Sequence, residues 1–282
     1  MSTKKNHLLE ILRELRAVVV AFSGGIDSTV VAKAAFETLG DRAIAVTADS
    51  PSVARREIDD ATRLAQESGI RHHLVRTDEF NDPSYIANDG ARCYFCKTEL
   101  YSQIESMLPS FQLHLGEEPV ICSGANVDDQ GDYRPGLKAA SEHRVRHPLQ
   151  EAGFTKADVR ALAKEWNLPT WDKPASPCLS SRLAPGVELP RERTAPVQAF
   201  ERQLRKLGLR ECRARRHEGE LLRIEVPIDA LTLLIEPQVR EELTAFCQSV
   251  GFQFVTLDLM GFRSGSLNSL VDLDLKKLYR QS

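Results

Sequence analysis

The 282-residue sequence contains no apolar run near the roughly 18 residues that a membrane-crossing helix needs, no internal repeat and no low-complexity tract. Nor do the first 16 residues carry an export-signal pattern. Leu8, Leu9, Ile11, Leu12 and Leu15 instead recur at helical spacing among polar residues. The expectation is a cytoplasmic protein without membrane contact. Basic residues are not in excess: 37 Lys and Arg against 40 Asp and Glu leave a net charge of −3. That argues against a general nucleic-acid binder but permits a local basic pocket for a phosphorylated small molecule. The six cysteines, without an export signal, read as thiols or metal ligands rather than a disulfide framework. The glycine-rich turn near the N-terminus lacks the lysine of a Walker-type phosphate loop.

That turn is the most informative segment present. Val18-Val19-Val20-Ala21-Phe22 reads as a buried strand, Ser23-Gly24-Gly25 as a tight turn, and Ile26-Asp27-Ser28-Thr29 as the start of a helix. A helix start leaves N–H groups unpaired, and with the helix dipole these favour a phosphate. Asp27 repels phosphate unless a cation intervenes, which points to Mg²⁺.

Strand patterns at 17–22, 43–47, 71–75 and 120–123 alternate with helical patterns at 30–39, 53–68, 100–107 and 156–166. This alternation predicts an α/β domain over 1–186, a parallel sheet flanked by helices. Ser23, Asp49 and Asn126 follow predicted strands and can share the crevice at their carboxyl ends. Pro169, Pro174, Pro177, Pro185, Gly186 and Pro190 mark an irregular connection. A smaller C-terminal α+β domain is predicted over 187–282, with helices at 192–207 and 238–250 and strands at 211–217, 221–226 and 254–258.

Cys93 and Cys96 stand three positions apart, so two thiolates can grip one metal. A thioredoxin-like role is disfavoured, because the glycine-rich turn occupies the junction after the first strand. No second CxxC exists. A third ligand could be Cys178, in Lys173-Pro174-Ala175-Ser176-Pro177-Cys178-Leu179-Ser180-Ser181-Arg182, where Arg182 could lower the thiol's pKa. The alternative is three separate buried thiols. Arg213 and Arg215 alternate on a predicted strand and project from one face, where an anion would relieve their repulsion. The alternative is a solvated strand face. Arg216, opposite, reads as structural, as do Cys122, Cys212 and Cys247. Glu201 and Asp229 are candidate metal or substrate contacts, but each falls in a solvent-facing helical or turn pattern, which favours a plain surface residue. Arg263-Ser264-Gly265-Ser266 could bind an anion or stitch the domains together, and the histidines show no ligand spacing.

Ser23-Gly24-Gly25-Ile26-Asp27-Ser28 resembles the loop of N-type ATP pyrophosphatases. Five further motifs resemble the LarE-type sulfur transferases of this superfamily. They are Arg92-Cys93-Tyr94-Phe95-Cys96-Lys97, Ser123-Gly124-Ala125-Asn126-Val127-Asp128-Asp129, Pro177-Cys178-Leu179-Ser180-Ser181-Arg182, Arg213-Ala214-Arg215 and Gly261-Phe262-Arg263-Ser264-Gly265-Ser266-Leu267-Asn268. The resemblance implies an adenine nucleotide alpha hydrolase-like fold, with a parallel five-stranded sheet flanked by helices, and use of ATP and Mg²⁺. The implied reaction converts the carboxylate of a pyridinium mononucleotide to a thiocarboxylate, in nickel-pincer nucleotide synthesis for lactate racemase. It implies that Ser23, Gly24, Gly25 and Ser28 cradle phosphates, that Asp27 and Asp128 hold Mg²⁺, and that Ala48 and Asn126 line the adenine or ribose pocket. It also implies that Arg213 and Arg215 take a substrate phosphate, and that the protein is a homo-oligomer. Some members of the family sacrifice the sulfur of one cysteine, at the position of Cys178. Others hold a 4Fe–4S cluster with three cysteines resembling Cys93, Cys96 and Cys178, and the full set here favours that variant. Two other readings share the loop: an amide ligase resembling NAD or GMP synthetase, and a tRNA thiolase.

Overall fold

In the computed structural model, residues 2–130, 133–174, 177–263 and 265–279 are described. Ala175, Ser176 and Ser264, each part of a motif above, lie outside the described residues. In chain order the elements are α1 (Ser2–Leu15), β1 (Val18–Ala21), α2 (Ile26–Leu39), β2 (Ala43–Asp49), α3 (Arg55–Ser68), β3 (Arg71–Arg76), α4 (Pro83–Ala87), α5 (Arg92–Leu115), β4 (Val120–Cys122), α6 (Pro135–Glu142), α7 (Pro148–Glu151), α8 (Lys156–Glu165), α9 (Thr194–Lys206), β5 (Arg213–His217), β6 (Leu221–Glu225), α10 (Leu231–Ile235), α11 (Pro237–Ser249), β7 (Phe254–Leu257) and α12 (Leu273–Leu278). Contacts divide the chain into two compact units. The first comprises 1–79, 93–176 and 279–282, and the second 80–92 and 177–278.

The first unit is built on a parallel sheet in the order β3-β2-β1-β4. β1 is apolar throughout because both its faces are covered. Val18 and Val20 pack toward the core formed with α1, α2, α3 and α8, whereas Val19 and Ala21 pack toward the core formed with α5 and α6. Among the described residues the sheet has four strands rather than five. Where a fifth would pair, Arg146 makes a single parallel bridge to Cys122, and Pro148 then opens α7. Proline fits the first turn of a helix and cannot donate to a ladder, so the strand ends there. β1 pairs with β2 on one side and β4 on the other, so the order reverses beside β1. That reversal opens the crevice in which such sheets bind ligands.

The second unit holds a mixed three-stranded sheet, β5-β6-β7, with β5 and β6 antiparallel and β6 and β7 parallel. Val197, Phe200 and Leu204 of α9 close over Ala214, Leu222 and Ile224. The segment 80–92 is woven into 177–189. The Asn88 side chain donates to the carbonyls of Ala184 and Val187, each at 2.9 Å, and the Tyr85 and Ser180 hydroxyls lie 2.7 Å apart. No described helix is long and apolar enough to cross a membrane.

Candidate active site

The predicted phosphate turn lies at the strand reversal of the first unit. Gly24 adopts φ +65°, and a Cβ there would come within 3.0 Å of Ala61 on α3. Both conditions select glycine. Gly25 precedes α2 without a side-chain cap hydrogen bond, so the first-turn N–H groups of a 14-residue helix face the crevice. Ser28 Oγ accepts from Ser23 N at 3.2 Å, and Thr29 Oγ1 donates to Gly25 O at 2.8 Å, which fixes the turn. The Ser123–Asp129 motif closes against it. A Cβ on Gly124 would come to 2.7 Å from Ser28 N, so only glycine lets the loop after β4 approach the helix start this closely.

Asp27 is half-buried and meets two groups from distant parts of the chain. Asn126 Nδ2 donates to its Oδ1 at 3.1 Å, and the Lys156 ammonium ion-pairs with its Oδ2. Asn126 also accepts Asp128 N at 3.0 Å, so it acts both as an Asx cap and as a partner of Asp27. Asp128 Oδ2 accepts Lys156 N at 2.7 Å. Lys156 opens α8, whose start is fixed by a capping box. Thr155 Oγ1 accepts Asp158 N at 3.3 Å, and Asp158 Oδ2 accepts Thr155 N at 2.9 Å. Lys4 completes this cap at 2.6 Å and, with the Thr155 bonds, holds the Asp158 carboxyl down at about 2. A second lysine, Lys173, donates to Gly24 O at 3.4 Å and to Glu57 at 2.8 Å. Sequence reasoning missed both lysines. The available signals were the Thr155-x-x-Asp158 box and the loop's own want of a cation. Ala48 lies half-buried at the carboxyl end of β2. Beside the crevice, Ser123 Oγ lies 2.8 Å from His147 Nδ1, and burial lowers the pKa of that imidazole.

The cysteines divide into two groups. Cys122, Cys212 and Cys247 are buried in apolar cores, as expected. Burial pushes the Cys122 thiol pKa far up, and those of Cys212 and Cys247 up to about 11, so all three are protonated and inert at neutral pH. Cys93 is exposed, and Cys96 and Cys178 are half-buried. Cys93 and Cys96 sit on the first turn of α5 in the first unit, and Cys178 belongs to the second. Within either unit, no group of three or more His, Cys, Asp or Glu among the described residues stands together as a metal-ion set.

In the second unit Cys178 precedes a 3-10 turn, Leu179–Arg182. Its carbonyl accepts Ser181 Oγ at 2.6 Å and Arg182 Nη1 at 3.0 Å. Arg182 is 2% exposed and pairs with Glu201 at 2.9 Å, so its guanidinium braces the loop backbone and α9. Glu201 is therefore not solvent-facing, as its helical pattern predicts, but 1% exposed. Arg182 and Arg205 meet its charge, and it also accepts Ala214 N at 3.3 Å. Those arginines hold its carboxyl below the usual range against the cost of burial. Arg213 and Arg215 do not form a solvated face, being 6% and 5% exposed. Burial, with Arg182 and Arg215 nearby, lowers the Arg213 pKa to about 10, and its guanidinium lies 5.0 Å over the Phe262 ring. Arg215 pairs with the fully buried Glu225 at 3.0 Å and donates to Ser181 O at 3.0 Å. Ser266 Oγ donates to Glu225 at 2.6 Å, and Arg263 pairs with Asp258 at 3.1 Å, so the described part of that motif is an internal brace of this unit. Arg216 pairs with Glu220 and stacks on Phe252, and Asp229 is exposed.

An uncapped helix start at a strand reversal, carrying Ser-Gly-Gly-x-Asp-Ser, defines a pyrophosphate-loop nucleotide site, and residues 5–87 match the NAD synthase family. Over 271 residues the chain is 43% identical to an uncharacterized protein of Synechocystis sp., covering 96% of this chain and 99% of the relative. It is 41% identical to the pyridinium-3,5-bisthiocarboxylic acid mononucleotide synthase of Lactiplantibacillus plantarum, over 95% of each chain. A tRNA-specific 2-thiouridylase of Xanthobacter autotrophicus is 30% identical over 56% of this chain and 49% of its own length. The chain belongs to the LarE-type family of pyrophosphate-loop enzymes, which insert sulfur at the expense of ATP.

Proposed function

We propose that this protein uses ATP to activate the carboxylate of a pyridinium mononucleotide and converts it to a thiocarboxylate, a step of nickel-pincer nucleotide synthesis. The partition of the cysteines carries this reading: the three accessible thiols are Cys93, Cys96 and Cys178, the three that the family resemblance marks. A substrate carboxylate oxygen attacks the α-phosphorus of ATP. The bond to the bridging oxygen breaks, pyrophosphate leaves, and an acyl-adenylate forms. A sulfur nucleophile then attacks the carbonyl carbon, and AMP leaves with the C–O electron pair.

The chain's own groups fit these steps. First-turn N–H groups of α2 with Ser23, Gly24, Gly25 and Ser28 receive the phosphates. Asp27, with Asp128, would hold Mg²⁺, which would screen the phosphate charge there, and the Lys156 ammonium now paired with Asp27 would be free to meet that charge. Ala48 and Asn126 border the nucleoside. Arg213 and Arg215 supply buried positive charge for the substrate phosphate. Accessible thiols at i and i+3 on one helix suit a pair of thiolate donors, and the third is the thiol that the family resemblance marks. Cys93, Cys96 and Cys178 would hold a 4Fe–4S cluster, which when bound offers an iron without a protein ligand to carry sulfide.

Anaerobically purified protein is expected to contain iron and acid-labile sulfide. It should release pyrophosphate from ATP only with a pyridinium carboxylate mononucleotide, and should yield the thiocarboxylate by mass spectrometry. Pyrophosphate release stimulated by ammonia instead, or tight salt-sensitive tRNA binding, would overturn the substrate assignment. A colourless protein that loses the mass of H₂S on turnover would overturn the cluster.

A further inference from the structure

The start of α5 is held from two sides within the first unit, by α6 and by Tyr279. α6 lies directly against its first turn: a Cβ on Gly136 would come to 3.1 Å from Lys97 Cγ and 3.5 Å from the Cys93 carbonyl oxygen. α6 then delivers two side chains to Tyr94, the residue that follows Cys93. Glu142 accepts the Tyr94 hydroxyl at 2.6 Å, and the Lys138 ammonium stands 5.9 Å from the Tyr94 ring centroid. The same ammonium stands 4.9 Å from the ring of Tyr279, and the two tyrosine rings lie 5.6 Å apart at 54°. Tyr279 is 9% exposed and groups by contact with the first unit, although α12, just before it in sequence, groups with the second. One cation is thus shared by two rings, one from the CxxC turn and one from far downstream.

The first turn of a helix frays readily, and α5 has no acidic residue there to favour its positive end. Side chains at i and i+3 face each other, about 5–6 Å apart at Cβ, only while the turn is helical. We propose that Tyr279 and Lys138 are positioning residues that clamp Tyr94 and so keep Cys93 and Cys96 in register as a pair. The inference rests on the reading above that these two thiols work together.

The test is iodoacetamide alkylation of the full-length protein as purified, followed cysteine by cysteine by peptide mass spectrometry, with iron measured on each sample so that rates are compared at equal iron content, and with pyrophosphate release measured in parallel. Tyr279→Ala is expected to speed alkylation of Cys93 and Cys96 about three- to tenfold, the scale of losing an aromatic and a cation–π contact. Cys122, Cys212 and Cys247 stay protected, pyrophosphate release is unchanged, and Tyr279→Phe, which keeps the ring, behaves as wild type. Unchanged rates at Cys93 and Cys96 would overturn the clamp, as would parallel acceleration at the three buried thiols, which marks general loosening. If Tyr279→Ala does not fold, Lys138→Met removes the cation and keeps the stem. It should move the same two rates in the same direction, and no movement overturns the proposal. Alkylation does not depend on turnover. A wild-type protein that transfers no sulfur, while its variants show the expected alkylation pattern, loses the functional reading and keeps the clamp.

Discussion

At the pyrophosphate loop, Asp27 and Lys156 keep side-chain exposures of 23% and 37%, and Lys173 divides its ammonium among Gly24, Glu57 and Asp60. In the second unit Arg182 and Glu201 meet at 2% exposure each, and Arg215 and Glu225 at 6% and 0%. Water screens the first set, so each pair there is worth little and can be exchanged. The second set has lost its water, so each charge depends on its partner. This suits the roles proposed above: a loop that releases a carboxylate to a cation and phosphates, and an arginine cluster that presents fixed positive charge. The contrast predicts that mutations at the loop cost activity with little stability, whereas mutations in the arginine cluster cost stability first.

The largest effect is expected at Glu201. Glu201→Ala strands Arg182 in a dry interior and should cost about 3–5 kcal/mol in urea unfolding. Adding Arg182→Met should recover much of that loss, because an apolar pair tolerates burial where a lone charge does not. A loss below about 1 kcal/mol would erase the distinction between the two centres. Next comes Asp27→Ala. Pyrophosphate release should fall about 100- to 1000-fold, the scale for removing one preorganised charge contact, while the urea midpoint barely moves. Cys178→Ala should leave pyrophosphate release intact and stop thiocarboxylate formation. Equal loss of both products would remove Cys178 from the sulfur step.

Much of this architecture is legible because local rules and tertiary demands agree. The all-apolar β1, the Gly24 turn and the helix after it follow from a strand covered on two faces and a φ of +65° that favours glycine. The rest depends on partners far away in sequence. Lys156 meets Asp27 across 129 positions; the Thr155-x-x-Asp158 box marks the helix start it sits on, but not the partner it reaches. Glu201 looks solvent-facing because it is charged. It is buried because Arg182, 19 positions upstream, brings a countercharge that only the fold supplies. Helix α5 begins at Arg92 rather than near residue 100, because Cys93-Tyr94-Phe95-Cys96 has no polar–apolar rhythm of its own and gains its helical context from α6. The segment 80–92 groups with the second unit through Asn88 and Tyr85, contacts that linear order hides.

The smallest predicted effect sharpens the comparison from the weak side. Asp158 caps the helix that presents Lys156, and Lys4 with Thr155 holds its carboxyl at about 2 against an unperturbed 3.8. The folded state therefore binds its proton less readily than the unfolded chain. The stabilisation is fully present above pH 3.8 and disappears as pH falls through about 2. Because solvent reaches this carboxylate, its worth is discounted to a few tenths of a kcal/mol up to about 1. Asp158→Asn should lower stability at neutral pH by that amount and flatten the acid limb of the unfolding curve between about pH 4 and 2. Pyrophosphate release should fall only as far as a loosened cap displaces Lys156, about twofold to tenfold. An acid limb as steep as wild type would show that the first unit's surface charges contribute nothing measurable even where they cap the helix carrying Lys156. The contrast with the second unit would then be wider still.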